Sequence, residues 1–154
     1  MNDDVSRAQL TALSRKLRDL HARIIATEQS FHPPAAGLAL LDRLTNDPAW
    51  AWLRVLSGII ADIDHVLARD APSANDAAVV AAHVRGMLAG EGDLHNAQFM
   101  ERYRPLLQLD PDLVSLHAEV KSLLNGFPGE PENESERLHA RHQWAMRCKH
   151  QMSG

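Results

Sequence analysis

From Ser6 to Gln29 the apolar positions Leu10, Leu13, Leu17, Leu20 and Ile24 alternate in steps of three and four, which lays one narrow seam along a helix. The Pro33-Pro34 pair breaks that pattern. Gly37 to Leu44 then predicts a short helix, and Asp47 caps a longer one reaching about Ala68. On that helix Trp52, Leu53, Val55, Leu56, Ile59, Ile60, Ile63, Val66 and Leu67 make one broad apolar face. Ser73 or Asn75 opens a fourth helix with an inner stripe of Ala77, Val80, Ala81, Val84, Met87 and Leu88, and Gly90 and Gly92 close it. A fifth, about Leu94 to Leu107, gathers Phe99, Met100, Tyr103, Leu106 and Leu107, with Pro105 expected to bend or end it. The sixth starts at Asp110, buries Leu113, Leu116, Val120 and Leu123, and stops at Asn125-Gly126. Asp47-Pro48 and Asp110-Pro111 are the firmest starts, because the carboxylate accepts orphan amides where proline's missing donor costs nothing. The expected architecture is an all-α, up-and-down bundle over residues 1–127, with four main helices and short additional ones.

Residues 128–154 differ in composition. Glu130, Glu132, Glu134 and Glu136 precede Arg137, Arg141, Arg147 and Lys149, an order that complements the helix dipole and predicts a terminal helix from about Glu134. Its seam of Leu138, Ala145, Cys148 and Met152 is thin, so weak docking is expected.

Composition agrees with this reading. In 154 residues there are 22 Ala and 21 Leu against 16 Val, Ile and Thr together, a balance that favours helix over strand. A net charge of −4 supplies no general basic field, which argues against a dedicated nucleic-acid binder and leaves only the basic tail as a local candidate. One cysteine, Cys148, rules out an internal disulfide or a multi-cysteine metal centre. No run approaches about 18 apolar residues and no signal-like segment opens the chain, so a cytoplasmic, non-membrane protein is expected.

The candidate chemistry lies in polar residues turned inward. His117 falls between Leu113 and Val120, His21 flanks the first seam, Glu28 lies two turns after His21, and Asp64 flanks the broad face of the central helix. Carboxylates held against apolar faces must be paired, protonated or metal-bound. His21, Glu28, Asp64 and His117 have the ligand types of a divalent-metal site, yet the helices that carry them contain neither a Glu-x-x-His nor a His-Glu-x-x-His pair. A hydrogen-bonded network that fixes helix register is the reading favoured over a metal centre or metal-dependent enzyme. His139, His142, His150, Cys148 and Met152 in the tail are read as a solvated face rather than a soft-metal site, and Cys148 as a structural thiol. Phosphate loops, nucleophile elbows and dinucleotide fingerprints are missing from the sequence.

Trp50 stands apart. A continuous helix places it opposite the broad face, beside Arg54, Ser57 and Ala61. Either a short helix covers it, or Trp50, Arg54 and Ser57 form a homodimer or partner interface.

Three stretches carry a resemblance: LHARIIATE from Leu20 to Glu28, DPAWAWLRVLSGIIADID from Asp47 to Asp64, and ERYRPLLQLDPDLVSLHAEV from Glu101 to Val120. Over Leu10 to Leu124 the chain resembles a group of small, uncharacterised bacterial helical proteins. Matching positions include His21, Glu28, Trp52, Arg54, Ser57, Asp64, Arg102, Tyr103, Asp110 and His117. Val55 stands where the group has proline, which is expected to remove a helix start within that segment. The resemblance implies that His21, Glu28, Asp64 and His117 belong together and supplies no reaction. The expected function is a binding or interaction module.

Overall fold

The computed structural model describes residues 2–30 and 48–149. Six α-helices and one 3-10 segment make up its regular elements, with no strand among the described residues. They are α1 (Asn2–Gln29), the 3-10 segment Pro48–Leu53, α2 (Arg54–Arg69), α3 (Ala74–Ala89), α4 (Leu94–Leu109), α5 (Pro111–Asn125) and α6 (Glu134–Lys149). The short helix expected over Gly37 to Leu44 and the cap at Asp47 lie outside the described residues.

The predicted seam of α1 closes completely: Leu10, Leu13, Leu17, Leu20 and Ile24 are all 0% exposed. Each such side chain contributes about 1.5–3 kcal/mol relative to leaving it in water. With that seam α1 packs chiefly between α5 and α2, and it also touches α3 and α4. The helix α3 begins with a reciprocal cap in which Ser73 Oγ accepts from Asp76 N while Asp76 accepts from Ser73 N. It ends at Gly90, whose φ of 70° is left-handed and whose missing side chain leaves room for Met100 Cβ. Ala78 and Val79 are buried as well as the predicted stripe, so α3 is covered on two sides, by α4 and by α6. Asp110 caps α5 with Pro111 at its first turn, as expected.

The expected course of two segments is corrected. The segment after Asp47 is not one α-helix, since Pro48–Leu53 winds as a 3-10 segment and α2 starts at Arg54. The tighter winding turns Trp50 about 80° away from its place on a continuous α-helix, at 120° rather than 100° per residue over four residues. Trp50 is 4% exposed and belongs to the core. Pro105 does not end α4, which runs on to Leu109. Its lost hydrogen bond falls on the exposed face that also carries Glu101, where water can satisfy the carbonyl.

The tail helix is docked, and by a different face from the one expected. Leu138 is 57% exposed and Ala145 is exposed, whereas Ala140 and Trp144 are buried against the body of the bundle. Around Trp144 stand three polar contacts. Arg147 pairs with the buried Asp76, Cys148 bonds to Asp62 of α2, and Arg141 makes a two-pronged bridge to Glu130 at 2.7 and 2.6 Å. Met152 and His150 lie outside the described residues.

Candidate functional site

The four inward polar residues do not converge. Glu28, near the end of α1, is 8% exposed and accepts from Arg102 Nη2 of α4 at 3.3 Å, while the Arg102 guanidinium lies 6.0 Å from the centre of the Trp52 ring. Asp64 of α2 accepts from Ser14 Oγ at 2.7 Å and pairs with Arg18. His21 borders the same shallow groove as Asp64, about 340 Å³, together with Ser57 and Ala61, and burial holds its pKa below 6.5. His117 is elsewhere, against Tyr103. Among the described residues no three His, Cys, Asp or Glu side chains gather as a metal would require. The structure thus brings His21 together with Asp64 and leaves Glu28 and His117 in surroundings of their own. Of the proposed interface residues, Arg54 and Ser57 are exposed and Trp50 is not.

The most heavily hydrogen-bonded carboxylate is one the sequence marked only as a cap. Asp110 receives Arg23 Nε at 2.5 Å, Thr27 Oγ1 at 2.7 Å and the Asp112 amide at 3.0 Å. Arg23, then Thr27, hold its carboxyl well below the usual carboxylate range. Asp110 is therefore a bolt between α1 and the start of α5. Cys148 is the reverse case. Burial and the neighbouring Asp62 push its thiol up to about 12, so no thiolate nucleophile exists there at neutral pH. His139 and His142 remain on the exposed face of α6, separated from it.

His117 has the most informative surroundings. Its Nδ1 lies 2.8 Å from the hydroxyl of Tyr103, a fully buried residue whose ring stacks on Phe99 at 5.0 Å. Among the described residues that hydroxyl has no other hydrogen-bond partner, and a buried O–H left without an acceptor would cost about 1–3 kcal/mol. Tyr103 therefore donates to Nδ1. The imidazole's own proton then resides on Nε2, at the ring edge directed away from Tyr103. Burial of Tyr103 raises its pKa above the ordinary 10, which keeps the phenol protonated. Burial, and secondarily the charge of Lys121, lowers the pKa of His117, so at neutral pH the ring is an uncharged donor.

Outward of this ring is a cleft of about 280 Å³ between α3 and α5, lined by Arg85, Leu88 and Ala89 on one side and His117, Lys121, Leu124 and Asn125 on the other. The spacing explains the lining. Arg85, Leu88 and Ala89 are three and four residues apart on α3, and His117, Lys121, Leu124 and Asn125 form the facing stripe of α5. One guanidinium nitrogen of Arg85 donates to Leu124 O at 2.7 Å across the cleft. The wall holds two cations and an imidazole donor and no carboxylate. Sequence reasoning found His117 and missed Lys121 and Arg85; the i, i+4 pair His117 and Lys121 was the available signal. Comparison with known families, curated proteins and solved structures gives no match.

Proposed function

We propose that this chain is a binding module whose ligand is a small anion seated in the cleft between α3 and α5. The observation that carries the reading is the bond between Tyr103 and His117: Tyr103 occupies Nδ1, which leaves Nε2–H as the remaining donor of a ring that lines a cleft already containing Lys121 and Arg85. Two cations and an imidazole donor with no carboxylate in the lining suit a carboxylate or phosphate oxygen, because hydrogen bonds to a charged partner are roughly twice as strong as neutral ones. A general-base role for His117 is disfavoured by the same geometry, since the nitrogen facing the cleft carries the proton.

The test is a titration of the full chain with acetate and with inorganic phosphate, followed by the backbone and imidazole resonances of His117 and Lys121. Saturable shifts centred on α3 and α5, weakened at least fivefold in Lys121→Gln, are expected. Shifts that do not saturate, or that Lys121→Gln leaves untouched, would refute the reading.

A further inference from the structure

The cleft also states what kind of anion it takes. Three features set the size of the charge. His117 is uncharged at neutral pH, and two cations stand at the head of the site, Lys121 and Arg85, the latter keeping its full charge while one prong donates to Leu124 O. The cleft lies at the carboxyl ends of both α3 and α5, where the helix dipoles present partial negative charge. A dianion would meet that field with too little positive charge to offset it, whereas a singly charged head is matched.

Beside the polar head the walls are apolar. Leu88, Ala89 and Leu124 supply hydrocarbon on both sides of the cleft. The volume of about 280 Å³ is at the small end for ligand sites. At about 30 Å³ per displaced water it corresponds to roughly nine waters, room for a three-atom carboxylate and a tail of about six carbons.

We infer that the ligand of the α3/α5 cleft is a monocarboxylate with a short hydrocarbon tail, its head on Lys121 and His117 and its tail along Leu88, Ala89 and Leu124. This rests on the small-anion reading above and goes beyond it in naming the class.

The experiment is calorimetric titration of the full chain at constant pH and ionic strength with acetate, butyrate, hexanoate and octanoate, and with inorganic phosphate. Affinity should rise about fourfold per methylene up to hexanoate and then level off as the cleft fills. Phosphate should bind more weakly than butyrate. Lys121→Gln and Ala89→Glu, both at exposed positions that the fold tolerates, should each reduce hexanoate binding at least fivefold. If phosphate and acetate bind but chain length has no effect, the tail assignment is wrong and the small-anion reading survives. If no anion binds, both fall. Hexanoate binding that neither substitution changes would place the ligand elsewhere on the molecule and overturn the inference.

Discussion

Replacing Tyr103 by Phe removes one oxygen and leaves the buried ring, so it isolates the hydrogen bond to His117 from the packing around it. The ring stack on Phe99 at 5.0 Å and the contact with the His117 ring at 5.6 Å persist. What is lost is a single neutral hydrogen bond at 2.8 Å, worth about 0.5–1.5 kcal/mol net. For a chain of this size that corresponds to a fall in Tm of roughly 2–4 °C per kcal/mol. The stability effect is therefore modest. The effect on the imidazole is specific: with no donor at Nδ1, the tautomer carrying its proton on Nε2 is no longer enforced. Nitrogen chemical shifts of His117 should report a proton on Nε2 in the wild type and a mixture of tautomers in Tyr103→Phe, with anion affinity down by about fivefold or less. A wild-type spectrum with the proton on Nδ1 would refute the reasoning, because Nε2 would then face the cleft as an acceptor. A Tm drop beyond about 10 °C would also refute it, since it would mean that the hydroxyl holds more than one contact.

Further outcomes follow from the docking of α6 and from the shifted titrations. Trp144→Ala should cost about 3–5 kcal/mol in urea unfolding, as for other buried aromatic truncations; a loss under 1 kcal/mol would mean that α6 is only loosely attached. Cys148, with its thiol pushed up to about 12, should react with a disulfide reagent at pH 8 far more slowly in the folded chain than in urea, and Asp62→Asn should speed that reaction. Burial depresses the folded pKa of both His21 and His117 below the unfolded value of about 6.5, so below that pH the unfolded chain binds more protons than the folded one. Stability should fall as pH drops from 7 to 5, and the His21→Gln, His117→Gln double variant should lose less over the same interval in urea titrations.

Local signals survived the passage from sequence to structure where one element decides them. The α1 seam needs only a period, and its five residues are all fully buried. The Ser73–Asp76 box and the Asp110-Pro111 start need only neighbours three residues away. Errors arose where winding or partners decide. A 3-10 segment is indistinguishable from an α-helix by apolar content, and its extra 20° per residue carries Trp50 into the core, which agrees with the covered alternative and not with the interface one. Trp144 went unnoticed because α6 is polar on most sides, and its few apolar positions gain meaning only when Asp62 and Asp76 are seen to receive Cys148 and Arg147. Of the His and carboxylate residues read as inward, Glu28 is buried and His21, Asp64 and His117 are half-buried, and they stand apart because helical periodicity fixes a direction around each axis and not a height along it.

The way the bundle disposes of its charges gives the α3/α5 cleft its distinction. Glu28, Asp64, Asp76 and Asp110 each meet an arginine from another helix, respectively Arg102, Arg18, Arg147 and Arg23. A buried carboxylate left unpaired would be far costlier than the pair, and each pairing also ties two elements together. These arginines have structural employment, and the carboxylates they neutralise are not available to a ligand. In the cleft the relation is reversed. Neither Arg85 nor Lys121 has a carboxylate partner among the described residues, although Glu119 lies only two residues from Lys121 and pairs instead with Lys16 of α1 at 3.2 Å. Both cations are exposed, so water screens their mutual repulsion and its cost to stability is small, while an anion that binds the folded cleft raises stability by mass action. Saturating hexanoate should accordingly raise Tm in the wild type and leave it unchanged in Lys121→Gln. An equal rise in both proteins would show that the stabilising anion acts elsewhere, and would detach the missing carboxylate from any role in binding.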